Sequence, residues 1–167
     1  MKIVFLDALT LGTTDISGLE ALGELVVYQT TSPSETLERI TDANVIITNK
    51  VVINDELMAQ CKNLKLITIA ATGMNNVDLE AAKNRGILVK NVAGYSTDSV
   101  IQHTFSLLFY LIGQSRYYDE YVKDGSYAKS SIFTDVSRPF FEVKDKKWGI
   151  IALGTIGKGV ANVARAF

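Results

Sequence analysis

Lys146-Lys147-Trp148-Gly149-Ile150-Ile151-Ala152-Leu153-Gly154-Thr155-Ile156-Gly157 reads as a buried strand that runs into a glycine turn and opens a helix. In a unit of this kind the glycines let the backbone approach a pyrophosphate. Free N–H groups and the dipole at the helix N-terminus stabilise its charge. Gly154 and Gly157 take the second and third glycine positions of such a turn, with Thr155 and Ile156 between them. Ala152 stands at the first, so the match is A-x-G-x-x-G. A methyl group there costs little while φ is negative and more where φ is positive. The acidic residue that would bind the ribose hydroxyls is expected ~20 positions further on, past Phe167. The run therefore reads as the beginning of a dinucleotide site for NAD, with NADP not excluded.

Ahead of this run, residues 1 to about 92 alternate short β-branched stretches with amphipathic ones, the pattern of a parallel sheet covered by helices. Strands are expected at Lys2 to Leu6, Leu25 to Tyr28, Val45 to Thr48, Leu64 to Ala70 and Ile87 to Val89, with the fourth at the centre. Ser32-Pro33-Ser34-Glu35 has the order of a capping box with proline at the first helical position. Asn54 or Asp55 is expected to cap the next helix, and Gly86 to close the one that begins at Asp78. The fold class is α/β: a flavodoxin-like parallel-sheet domain over residues 1–95, followed over 96–167 by a linking helix, an aromatic arm and the start of a Rossmann dinucleotide-binding domain. The helix is expected to begin at a Ser96 cap and to be buried, since Val100, Phe105, Leu108 and Leu111 leave it apolar on most of its circumference. Residues 116–144 carry Tyr117, Tyr118, Tyr121, Tyr127, Phe133, Phe140 and Phe141. Such a segment packs either on a second subunit, making a homodimer, or back on its own chain.

Composition narrows the function classes. With 47% hydrophobic and 21% charged residues the 167-residue chain has a globular make-up, and a net charge near −1 offers no basic surface for nucleic acid. Its longest apolar stretch, Phe105 to Ile112, is far short of the ~20 residues that span a bilayer. The N-terminus reads as a strand and not as a signal peptide. Cys61, the one cysteine, fits a reducing compartment, so the expected location is the cytoplasm. No histidine pair, cysteine pair or carboxylate cluster has metal-ligand spacing.

Three stretches together are more specific than the glycine turn: Ala70-Ala71-Thr72-Gly73-Met74-Asn75-Asn76-Val77-Asp78, Asn91 to Thr104 with its Gly94-Tyr95-Ser96-Thr97, and Trp148 to Gly157. The chain resembles the D-isomer-specific 2-hydroxyacid dehydrogenases, within them the glycerate dehydrogenase or hydroxypyruvate reductase group. The resemblance covers the first half of what that family contains, so the chain reads as truncated. It implies an NAD(P)-dependent oxidoreductase acting on the CH–OH group of D-2-hydroxy acids, or reducing 2-oxo acids such as hydroxypyruvate. The family's anchoring arginine, its acid/base histidine and the carboxylate that orients it have no counterpart here. No residue of this chain is thus assigned as catalytic, and the chain alone is expected to be inactive.

The resemblance assigns Ala71, Thr72 and Gly73 to the segment whose backbone N–H groups hold the substrate carboxylate. Asn49 and Lys50, after the third strand, face the same rim, with Lys50 either adding charge or simply solvated. Thr104 matches a position near the nicotinamide ring, or it bonds back within its own helix. Cofactor contacts fall to Gly154, Thr155, Ile156 and Gly157. His103, the sole histidine, matches a helix position of the Gly-Tyr-Ser-Thr motif and is expected to be structural and hydrogen-bonded. The competing reading is a non-catalytic module of the same fold that senses a nucleotide or binds a partner through its aromatic arm.

Overall fold

The β-branched stretches of the first half each form a four-residue strand: β1 (Lys2–Phe5), β2 (Glu24–Val27), β3 (Val45–Thr48), β4 (Leu66–Ile69) and β5 (Leu88–Asn91). They make one parallel sheet in the order β2-β1-β3-β4-β5. The computed structural model describes residues 1–167 and divides into one unit from Met1 to Gly94 and a second from Tyr95 to Phe167.

The central strand is β3 and not β4. All four β3 residues are buried, whereas Leu66 and Thr68 of β4 stay partly exposed. The connection from β1 to β2 runs one way across the sheet, and those from β2 onward run the other. Right-handed crossovers therefore put the helices α1 (Pro33–Ile40), α2 (Asp55–Gln60) and α3 (Leu79–Asn84) on one face. The pleat sends alternate side chains to each side. Val4, Leu6, Ile46, Ile67 and Ile69 pack against Ile40, Met58 and Ala82 of the helices. Ile3, Phe5, Val45 and Ile47 pack on the opposite face against Leu11, Ile16 and Leu19, which come from the connection between β1 and β2 with its two short 3-10 segments. Each buried branched side chain contributes about 1.5–3 kcal/mol, which offsets the ordering of these short elements.

Local signals place the helix starts. The Ser32 N–H donates to Glu35 Oε2 at 2.9 Å and its hydroxyl to the same oxygen at 2.6 Å, with Pro33 at the first helical position. Asn54 Oδ1 accepts from the Leu57 N–H at 3.0 Å and Asp78 Oδ1 from the Ala81 N–H at 2.9 Å. Gly86, at φ 70°, supplies the left-handed turn after α3.

The second unit holds α4 (Thr97–Ile112), α5 (Ser115–Lys123), α6 (Ser126–Lys129) and α7 (Thr155–Ala164). Three expectations are corrected here. Ser96 makes no side-chain capping bond. Helix α4 is not buried around its circumference: Phe105 alone is fully covered, while Leu107 and Leu111 are exposed, because α7 packs against only one side of it. Residues Trp148 to Leu153 form no strand, since no neighbouring strand receives their N–H and C=O groups, and Ile151 is 99% exposed. What holds this unit is an aromatic cluster, with Phe105 5.5 Å from Trp148 and 6.2 Å from Phe167. Close approach of the helices needs Gly159, where a Cβ would strike Ile101.

Candidate functional site

The carboxyl ends of neighbouring strands in an open α/β sheet are where ligands bind, and the sequence places two polar turns there. After β4 comes Ala71-Thr72-Gly73. Ala71 is buried, and its carbonyl accepts from the Val92 N–H at 3.1 Å. The Thr72 hydroxyl donates to the Val92 carbonyl at 3.1 Å, and Asn91 Nδ2 donates to the Thr72 carbonyl at 2.7 Å. These bonds tie the turn to the end of β5, yet the N–H groups of Thr72 and Gly73 donate to nothing in the chain. Two consecutive amides at a strand end are thus left as donors without an acceptor.

After β3 comes Asn49-Lys50-Val51. Asn49 is half-buried, its Oδ1 fully covered without a donor, and Lys50 is exposed and in no ion pair. This turn is organised by a residue that sequence reasoning missed. Asp7, only 5% exposed, accepts from the Asn49 N–H on its two oxygens at 2.8 and 3.0 Å. The same carboxylate takes the Lys50 N–H at 2.6 Å and the Val51 N–H at 3.3 Å. The available signal was an acidic residue directly after an apolar strand, at Phe5-Leu6-Asp7. A cleft of about 730 Å³ opens beside the turn, with Asp7, Thr10, Thr31, Leu37, Lys50 and Leu57 in its walls.

In the second unit Gly154 is the N-cap of α7, at φ −76°, and no side chain caps the helix. The first-turn amides of Thr155, Ile156 and Gly157 are therefore open to an anion. A Cβ on Gly154 would meet open space, whereas one on Gly157 would strike the Ala152 carbonyl. These residues fit a pyrophosphate: the second glycine keeps the approach clear and the third lets the turn close. Ala152 sits at φ 72°, in the left-handed region that suits glycine, so the alanine is strained there.

The remaining candidates behave differently. The Thr104 hydroxyl donates back to the Val100 carbonyl at 2.8 Å, which is the bond within its own helix. His103 is exposed on α4, a helix on which Phe105 is the buried residue, instead of hydrogen-bonded into structure. Cys61 is buried, and that burial pushes its thiol up to about 11. The aromatic arm divides: Tyr117 stacks on Tyr121, Tyr118 and Tyr127 meet that pair edge to face, and Arg138 covers Tyr117, while Phe133, Phe140 and Phe141 remain exposed. No three His, Cys, Asp or Glu side chains gather in a group able to hold a metal ion, and no helix is long and apolar enough to cross a membrane.

A five-stranded parallel sheet with free amides on its rim, followed along the chain by a glycine turn that opens a helix, defines a class of α/β proteins. Residues 3–163 match the D-isomer specific 2-hydroxyacid dehydrogenase catalytic domain, and the chain belongs to that family. It is 37% identical over 171 residues to a hydroxypyruvate reductase of Blautia hydrogenotrophica, covering 99% of this chain and 53% of that protein. It is 35% identical over 166 residues to a glycerate dehydrogenase of Methylorubrum extorquens, covering 99% and 52%. The structure of D-lactate dehydrogenase from Aquifex aeolicus, complexed with NAD and lactic acid, superposes with a TM-score of 0.80 at 27% identity, covering 98% of this chain and 48% of that one. The chain thus spans about half the length of the relatives it matches.

Proposed function

We propose that this chain carries the carboxylate cradle and the pyrophosphate turn of an NAD(P)-dependent D-2-hydroxyacid dehydrogenase that reduces 2-oxo acids such as hydroxypyruvate. The observation that carries the reading is the pair of unpaired amides at Thr72 and Gly73 on the carboxyl end of β4. A substrate carboxylate satisfies both, and Lys50 on the neighbouring turn adds a positive charge. Gly154, Thr155, Ile156 and Gly157 would hold the dinucleotide pyrophosphate. The cofactor supplies hydride transfer. The chain's own residues bind and orient, and none of them is assigned to move the substrate proton.

Amide NMR of the 167-residue chain tests this. D-glycerate should shift Thr72 and Gly73 saturably, and NADH should shift residues 154–157, while NADH consumption with hydroxypyruvate stays at background. D-glycerate shifts spread evenly over the surface would refute the cradle, and turnover by this chain alone would refute the assignment of no catalytic residue. The exposed Phe133, Phe140 and Phe141 favour a homodimer formed through residues 116–144, or, in a non-catalytic module, a partner at the same place. A mass measurement in solution, with and without Phe133→Ser, distinguishes self-association from a monomer awaiting a partner. The proposed location is the cytoplasm.

A further inference from the structure

The register that sets Phe5 opposite Ile47 carries Asp7 to the level of Asn49, two residues past the end of the ladder. There three successive N–H groups converge on one buried carboxylate. The Thr48 hydroxyl braces the arrangement, 3.4 Å from Asp7 Oδ2 while accepting from the Val51 N–H at 3.0 Å. No lysine or arginine pairs with Asp7. Its charge is met by amide dipoles and that one hydroxyl, so desolvation is compensated only while the turn is closed around it. Opening the turn strands a buried anion.

We propose that Asp7 is the positioning residue of the substrate turn: its carboxylate holds the amides of Asn49, Lys50 and Val51 and so fixes the backbone from which Lys50 projects, on the turn that follows the strand next to the one carrying the free amides of Thr72 and Gly73. The inference rests on the carboxylate-cradle reading above. An exposed lysine on an untethered loop spreads its charge over many positions, and fixing the backbone beneath it removes part of that spread before the ligand arrives. A carboxylate suits the task because it only accepts and its bonds to N–H are charge-assisted. An asparagine would turn an NH₂ group toward some of the same donors. The opposite side of the turn is gripped as well, with Asn76 Nδ2 donating to the Val51 carbonyl at 3.0 Å.

The test is a double-mutant cycle on the full 167-residue chain, with D-glycerate as probe and the Thr72 and Gly73 amide shifts as readout. Asp7→Asn should weaken D-glycerate roughly fivefold, the scale of ordinary side-chain couplings, and by less than about twofold in a Lys50→Met background. Ile40→Val, a core change at the far end of the strands, controls for stability and should leave the affinity unchanged. If Asp7→Asn fails to give a folded spectrum, Thr48→Val takes its place in the cycle, since it removes the hydroxyl brace and keeps the carboxylate. Additive effects of Asp7 and Lys50, or an equal loss in Ile40→Val, would overturn the positioning role while leaving the cradle standing. Absence of any Thr72 or Gly73 response in the unmodified chain would overturn the cradle, and the inference with it.

Discussion

Replacing Ala152 with glycine should stabilise the second unit, against the usual direction for a change that removes a side chain. Ala152 lies at φ 72°, where an L-residue with a Cβ is strained by about 1–2 kcal/mol. Glycine removes that strain but brings a more flexible unfolded chain, a loss of about 0.4–1 kcal/mol. The midpoints leave a net gain of about 0.8 kcal/mol. The assay is urea unfolding followed by Trp148, the single tryptophan, whose ring centroid lies 5.5 Å from that of Phe105 within the same unit. With a slope near 1 kcal/mol per molar urea, the midpoint should rise by about 0.8 M. Strain relief acts on the free and bound forms alike, so NADH affinity should improve by less than about fivefold, equivalent to ~1 kcal/mol. An unchanged or lowered midpoint for Ala152→Gly would refute the argument that the turn is held in a glycine conformation by a residue that is not glycine.

Other outcomes follow from the same geometry. Gly157→Ala drives a methyl into the Ala152 carbonyl and should destabilise the unit by about 1–3 kcal/mol in the same urea assay. Gly154→Ala, whose Cβ meets open space, should leave the midpoint unchanged and still weaken NADH by roughly tenfold. The hydrogen bond and charge of Arg85 hold the Asp55 carboxyl below its ordinary 3.8. A lowered folded value means the pair stabilises above pH 3.8 and loses that contribution as pH falls through the folded value. The melting temperatures of Asp55→Asn and the parent should therefore differ at pH 6 and converge in acid. Cys61, with its thiol pushed up to about 11 by burial, should react with a thiol reagent at pH 8 only after unfolding.

The β-branched runs and their spacing determined the five parallel strands, because a short run buried on both faces has few other ways to satisfy its backbone. Local chemistry was legible to the residue at Ser32 and to within a residue at Asn54 and Asp78, where one side chain reaches an amide a few positions along the chain. The turns at Thr72-Gly73 and Gly154-Gly157 were legible as motifs, since small residues leave their backbone amides uncovered. Tertiary structure alone decided the rest. Strand order put β3 at the centre, a choice that hydrophobicity along β4 could not make. Trp148 to Leu153 has the composition of a strand and forms none, because a ladder needs a neighbour that composition does not supply. Asp7 meets the Asn49 turn across 42 residues of sequence, through two adjacent strands whose pairing no local pattern encodes. That contact came from the sheet register, and the register is a property of the folded chain.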